Sequence, residues 1–188
     1  MRVIAGEAKG RTLVVPRGGS TRAATDRIRE TLFAILEPEL GNARVLDLFA
    51  GAGTLGIEAL SRGAAAVTFV ERGAEAVRAL RRNLEATRLS DRATIAAANV
   101  LAFLDRGAGG PFDLVFCDPP FADVPVLEAT LAHPKLGLAL APDAIVVARV
   151  LRKHPPAVPP GATLARVKEI GEESLLFLRY RQPAAGGR

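Results

Sequence analysis

The stretch Arg44-Val45-Leu46-Asp47-Leu48-Phe49-Ala50-Gly51-Ala52-Gly53-Thr54-Leu55-Gly56 decides the fold. An apolar strand ends in a glycine loop and passes directly into a helical stretch, which is the opening unit of a parallel sheet. The same alternation recurs downstream. Strands are expected at 44–49, 66–70, 93–97, 112–117 and 143–149, with helices at 54–62, 73–88, 99–105 and 123–132. Beyond the proline-rich link Pro155 to Gly161, two further strands near 162–169 and 173–180 should form a closing antiparallel hairpin. The expected architecture is therefore α/β, a mostly parallel, doubly wound sheet of seven strands.

Upstream, Arg2 to Ala5 and Thr12 to Val15, separated by Gly6 to Gly10, read as a small β-hairpin. Arg17 to Ser20 reads as a mobile loop. Thr25 can cap a helix in which Ile28, Leu32, Ile35 and Leu36 recur at helical spacing, with Arg27 and Arg29 off that stripe and Pro38 to Asn42 ending it. Three parts follow: a basic hairpin and loop at 1–22, a main domain at 23–182, and a disordered tail at 183–188.

A chain of 188 residues, 49% hydrophobic, can bury one good core. No apolar run approaches the ~20 residues of a membrane span, and Met1 to Glu7 holds no signal region, so a cytoplasmic protein away from membranes is expected. Cys117 is the only cysteine, which excludes internal disulfides and cysteine-based metal clusters. His133 and His154 have no partner at metal-ligand spacing, and no metal is expected. The net charge is +5, and residues 1–30 hold seven Arg or Lys against three acids, leaving little excess elsewhere. Arg2, Lys9, Arg11, Arg17, Arg22, Arg27 and Arg29 can thus neutralise phosphates of a nucleic acid, although such a head can equally be a solvated arm.

In a sheet of this type ligands sit beyond the carboxyl ends of the strands, and Asp47, Gly51, Gly53, Glu71, Asn99 and Asp118 all fall there. The glycines let backbone approach a ligand closely, and Glu71 can accept both hydroxyl hydrogens of a ribose. Gly51 to Gly56 also satisfies the dinucleotide pattern, with Glu71 about 20 residues on. Against a dinucleotide, Asp47 would repel a pyrophosphate but attract the cationic amino-acid end of S-adenosylmethionine. Asp47 could also serve only to brace the loop by accepting backbone N–H groups.

Asp118-Pro119-Pro120-Phe121 follows the apolar run Leu114 to Cys117. An exocyclic amine on a base is a poor nucleophile because its lone pair is delocalised into the ring. Two convergent acceptors, the Asp118 carboxylate and the Pro119 carbonyl, can localise that pair, with the prolines fixing the backbone beforehand. Phe121 can stack on an extruded base. Guanine, with two adjacent donors on its pairing edge, suits a carboxylate slightly better than adenine.

Met1 to Gly6, Thr25-Asp26-Arg27-Ile28-Arg29-Glu30-Thr31-Leu32-Phe33, Leu46 to Arg62, Asn83-Leu84 and Asp118 to Phe121 together resemble the RsmD family. The resemblance covers residues 1 to about 180. It implies a Rossmann-like class I S-adenosylmethionine-dependent methyltransferase, acting as a monomer on the exocyclic N2 of guanine G966 of 16S ribosomal RNA in the small subunit or its assembly intermediate. It further implies that Asp47, Phe49, Gly51 and Gly53 surround the methionine part of the cofactor, Glu71 the ribose, and Asn99 with Val100 the adenine end. Asp118, Pro119, Pro120 and Phe121 would hold the guanine. Thr25, Asp26, Arg27 and Arg29 would line the entry, with Arg27 or Arg29 gripping a phosphate. Two departures stand out: Ala23 replaces the family's usual proline, and Ala148-Arg149 stands where many members carry a glutamate. Other readings are an adenine-N6 methyltransferase on DNA or RNA, an NAD-binding oxidoreductase, and a non-catalytic RNA-binding protein.

Overall fold

The computed structural model describes residues 1–16 and 24–181. Strands β1 (Arg44–Leu48), β2 (Ala66–Val70), β3 (Ala93–Ala96), β4 (Phe112–Cys117), β5 (Leu140–Leu151), β6 (Ala162–Ile170) and β7 (Glu173–Tyr180) form one sheet in the order β3-β2-β1-β4-β5-β7-β6. β1 to β5 run parallel, and β7 lies antiparallel between β5 and β6. Helices α1 (Asp26–Leu40), α2 (Thr54–Ser61), α3 (Ala74–Thr87), α4 (Val100–Asp105), α5 (Val124–Leu131) and α6 (Pro134–Leu138) connect them. The expected doubly wound sheet is present. β5 begins earlier than expected, at Leu140, and α6 was not legible because a five-residue helix shows barely one turn of periodicity.

Side chains alternate across the strands with period two. Val45, Leu114, Phe116 and Val147 join the core layer of α1, α2 and α3, whereas Leu46, Leu48, Val115, Cys117 and Val146 join that of α4, α5 and α6. Both faces of the sheet are therefore covered, as a parallel sheet requires. α2 is buried along its whole length. It lies so close to β2 that a Cβ on Gly56 would come within 2.3 Å of the Phe69 ring.

α1 begins as expected, with the Thr25 hydroxyl accepting the Ile28 N–H at 3.4 Å, and it buries Ile28, Leu32, Phe33, Leu36 and Leu40. Pro38 falls in the last turn and the helix ends at Leu40.

The N-terminal turn-back is present in reduced form, with a single antiparallel bridge between Arg2 and Thr12 and no extended strands. Within it the Val3 N–H donates to the Arg11 carbonyl, the Gly10 N–H to the Val3 carbonyl and the Leu13 N–H to the Met1 carbonyl at 2.8–3.0 Å, while other amides turn to side chains of α2 and α3. The Ile4 and Ala5 N–H groups donate to the two Glu58 carboxylate oxygens at 2.9 and 3.0 Å, and the Ala8 N–H donates to the Ser61 hydroxyl at 3.0 Å. Asn83 on α3 accepts from the Val14 N–H and donates to the Val14 carbonyl. Val3, Ala8 and Leu13 are buried in the α1–α3 layer. The expected loop Arg17 to Ser20, together with Arg22, Ala23 and the tail, lies outside the described residues.

The chain runs from β1 to β2 and β3 on one side, then returns to place β4 and β5 on the other. The crevice between the ends of β1 and β4 is thus the point where the winding direction reverses, and it is open for a ligand.

Candidate active site

The loop after β1 turns the chain sharply into α2 through three residues in the left-handed region, Phe49 (φ 64), Gly51 (φ 56) and Gly53 (φ 81). At the non-glycine Phe49 this conformation costs roughly 1–2 kcal/mol. Phe49 and Gly51 line a cleft of about 370 Å³ together with Asp47, Glu71, Asn99, Val100, Asp118 and Pro120. Gly53 does not reach this cleft. It caps α2, and a Cβ there would strike Leu80 at 2.3 Å, so packing against α3 requires glycine at this position.

The loop amides are largely committed. The Gly51 N–H donates to Glu71 Oε2 at 2.8 Å, the Gly53 N–H to the Ala50 carbonyl at 2.8 Å, and the Gly73 N–H to Glu71 Oε1 at 2.6 Å. A pyrophosphate needs these amides free and a positive environment. Among the described residues the ionisable side chains lining the cleft are Asp47, Glu71, Glu75, Asp118 and Asp123 against Arg72. The geometry disfavours a dinucleotide and suits a ligand that combines a cation with a hydroxylated sugar.

Asp47 is buried, and its Oδ2 accepts the Gly56 N–H at 3.0 Å. It therefore braces the loop as well as lining the cleft. Burial pushes its carboxyl up to about 8, opposed by the Gly56 bond and reinforced by Asp118 and Glu71. A cation bound beside it would favour the ionised form. The cleft thus fits S-adenosylmethionine on charge, size and polarity.

Asn99 caps α4, its side chain accepting the Leu101 and Ala102 N–H groups at 2.9 and 3.3 Å, and so holds the loop after β3 against the cleft. Val15 and Pro16 also line the cleft. Sequence reading did not assign them, since nothing local shows that the N-terminal segment returns to this wall.

Asp118 follows β4 directly and is buried. Its Oδ1 accepts from Arg149 Nε at 2.7 Å, and Arg149 Nη1 donates to Glu173 Oε2 at 3.0 Å. The Arg149 guanidinium lies 4.7 Å from the centroid of the Phe121 ring. Burial raises the Asp118 carboxyl above its usual value, Arg149 opposes this through charge and hydrogen bond, and Glu173 adds to it. Pro119 and Phe121 line a smaller cleft of about 60 Å³ with Arg149 and His154, while Pro120 lines both cavities. The tetrapeptide therefore forms the wall between two clefts. Glu173 is not singled out by the sequence, and Arg149 stands out there only as a departure from the family's pattern near a strand end, with no role assigned.

The expected phosphate contacts divide. Arg2, Lys9, Arg11 and Arg27 are exposed, and Arg11 also donates to the Ala86 carbonyl at 2.6 Å. Thr25 and Asp26 are exposed at the start of α1, and Arg29 holds the Asp26 carboxyl below its usual value. Arg29 itself corrects the expectation. It is fully buried, donating to Asp26 at 2.8 Å, to the Arg2 carbonyl at 2.7 Å and to Glu58 at 3.4 Å. The N-terminal segment covers the side of α1 that a helical pattern marks as solvent, so Arg29 is an internal tie and cannot grip a phosphate. Among the described residues there is no group of His, Cys, Asp or Glu able to hold a metal, and no helix long and apolar enough to cross a membrane.

A sheet in this order with β7 reversed, together with acids at the ends of β1, β2 and β4 facing one cleft, defines a class I S-adenosylmethionine-dependent methyltransferase. A ribosomal protein L11 methylase from Lactobacillus delbrueckii subsp. bulgaricus, 21% identical, shares this fold with a TM-score of 0.67 over 80% of this chain and 78% of that one. Residues 1–179 match the family model described as conserved hypothetical protein 95, and the chain belongs to this family, the RsmD family. It is 38% identical over 187 residues to the ribosomal RNA small subunit methyltransferase D of Escherichia coli K12, spanning 99% of this chain and 92% of that protein. The corresponding Haemophilus influenzae protein is 36% identical over 178 residues, 91% and 89% of the two chains. The solved structure of yhhF from Escherichia coli superposes with a TM-score of 0.81 at 35% identity, covering 97% of this chain and 99% of that one.

Proposed function

We propose that the protein transfers a methyl group from S-adenosylmethionine to the exocyclic N2 of guanine G966 in 16S ribosomal RNA, acting as a cytoplasmic monomer on the small subunit or its assembly intermediate. The observation that carries this reading is the placement of Asp118, at the end of β4, on the same cleft as Asp47 and Glu71. An amine acceptor and a cofactor site thereby share one crevice. The relatives' names supply the nucleic acid, and the family resemblance supplies the nucleotide.

In this reading Asp47 meets the cationic amino-acid end of the cofactor, Glu71 the ribose, and Asn99 with Val100 the adenine end. Phe49 and Gly51 shape the loop around the methionine part. S-adenosylmethionine, when bound, supplies a methyl group on a sulfonium whose C–S bond breaks as the N–C bond forms, after which the amine releases a proton to solvent. Asp118 accepts an N–H of the base and localises the amine lone pair, aided by the Pro119 carbonyl. Pro119 and Pro120 fix that backbone in advance, and Phe121 stacks on the extruded base. Positioning rather than covalent catalysis provides the rate. Arg2, Lys9, Arg11 and Arg27, with Thr25 and Asp26 at the entry, meet the RNA backbone.

The test is transfer of tritiated methyl groups to small ribosomal subunits from a strain lacking the enzyme, with Asp118→Ala alongside, followed by nucleoside analysis. N2-methylguanosine from the wild type alone supports the reading. N6-methyladenosine would redirect it to adenine, and no incorporation into subunits, free RNA or DNA would refute it.

A further inference from the structure

Arg149 stands in the middle of a buried ionic row. β4 and β5 pair with Cys117 opposite Ala148, which places Arg149 level with Asp118 just past the end of β4. β5 and β7 pair with Arg149 opposite Leu175 and Leu151 opposite Glu173, which brings the Glu173 carboxylate to the other end of the guanidinium. Only 4% of the Arg149 side chain is exposed, against 12% for Asp118 and 16% for Glu173.

A cation buried this deeply is expensive unless its donors are used, and here they meet carboxylates on both sides and a ring face. The Arg149 hydrogen bond goes to Oδ1 of Asp118. The other oxygen, Oδ2, has no hydrogen-bond partner among the described residues. The same guanidinium covers one face of Phe121, so a base stacking on that ring must take the other face.

We propose that Arg149 is a positioning residue of the transfer site, holding Asp118 by one oxygen and backing one face of Phe121 so that the target base is met by the other oxygen and the other face. The inference rests on the methyl-transfer reading above. The cation is internal to the acceptor site and is not presented to RNA. Among the described residues the charged and titratable groups around it include Asp118 on the β4 loop, Glu173 on β7, Cys117 at the end of β4, Asp47 across the cleft wall, and Asp123 and His154 lining the adjoining cavities.

Arg149→Gln and Arg149→Lys are compared with wild type in steady-state methyl transfer from pH 5 to 9, with cofactor affinity measured separately by calorimetry. Arg149 does not line the larger cleft, so cofactor affinity should change less than about threefold in either variant. In Arg149→Gln, kcat should fall about 100-fold, as for a reacting geometry misplaced by about 1 Å, and the acid limb of the kcat profile should move upward because Asp118 loses its cation. Lysine keeps a charge beside Asp118 but offers no flat face to Phe121. Arg149→Lys should therefore leave the acid limb near wild type while kcat still falls. An inactive wild type would refute the methyl-transfer reading and this inference with it. An active wild type with an unchanged Arg149→Gln profile would overturn the inference alone. So would losses in both variants that track weakened cofactor binding while the acid limb stays in place.

Discussion

Asp47→Asn tests the electrostatics of the cofactor cleft most directly. Asparagine keeps an acceptor for the Gly56 N–H, which Asp47 now satisfies at 3.0 Å, so the loop geometry should survive while the titratable charge disappears. In the free wild-type protein burial lifts this carboxyl to about 8. About a quarter of the sites are then ionised at pH 7.5 and about a hundredth at pH 6. A ligand that brings an ammonium group to Asp47 binds the ionised form, so its affinity should weaken about 25-fold between pH 7.5 and pH 6, close to tenfold per pH unit at the acid end. Calorimetric titration with S-adenosylmethionine in buffers of different ionisation enthalpy reads both quantities, the affinity and the release of close to one proton on binding near pH 6.5. Asp47→Asn should bind weakly with a flat pH profile and release no proton. Stability of the free protein carries a linked sign. The folded state keeps a proton that the unfolded chain loses near the ordinary value of 3.8, so this group makes the protein less stable as pH rises from about 4 through about 8. A wild-type affinity that is constant from pH 6 to 7.5, or a slope retained in Asp47→Asn, would refute the reasoning.

Removing the cation of the internal tie with Arg29→Met should destabilise the fold by about 3–5 kcal/mol in urea denaturation, because Glu58 is left buried without one of its cations; a loss below 1 kcal/mol would count against a structural role. Arg27→Ala should leave the denaturation midpoint nearly unchanged yet lower the salt slope of RNA binding by about one, as expected for one lost phosphate contact. Gly56→Ala should cost about 1–3 kcal/mol, since the added methyl meets the Phe69 ring and not an open space, and thermal melts would register it. Cys117 is buried with its thiol pushed up by desolvation and by Asp118 and Asp47, so it should resist a disulfide reagent in the native state and react fully once unfolded.

Much of the site was legible because strands in a parallel sheet are short apolar runs, and their ends can be located to within a residue or two. Asp47 lies near the end of such a run, Glu71, Asn99 and Asp118 come after one, and the winding rule brings those ends to one side. What escaped were features that depend on a third element. Gly53 belongs to a recognisable loop, but only the packing of Leu80 from α3 shows that it faces inward. Arg29 sits off the apolar stripe of its helix, and nothing in that helix reveals that residues 3 to 13 return to cover it. Arg149 needed two strand registers at once, β4 with β5 and β5 with β7, before its partners could be named. The hairpin is reduced for a related reason, because Glu58 and Ser61 take the Ile4, Ala5 and Ala8 amides while only Val3, Gly10 and Leu13 bond across the turn-back.

The bonds that hold the N-terminal segment also determine when it can be held. Ile4, Ala8 and Val14 find their partners 54, 53 and 69 positions further along, in α2 and α3. At bacterial-scale synthesis rates of about 5–20 residues per second, roughly 4–14 s separate translation of this segment from translation of Asn83. The basic segment is therefore translated before the interior helices that receive it. Attachment of the segment waits on its partners in α2 and α3, and Val15 and Pro16, which wall the large cleft, take their places only with it, so that cleft is completed by the first residues and the middle of the chain together.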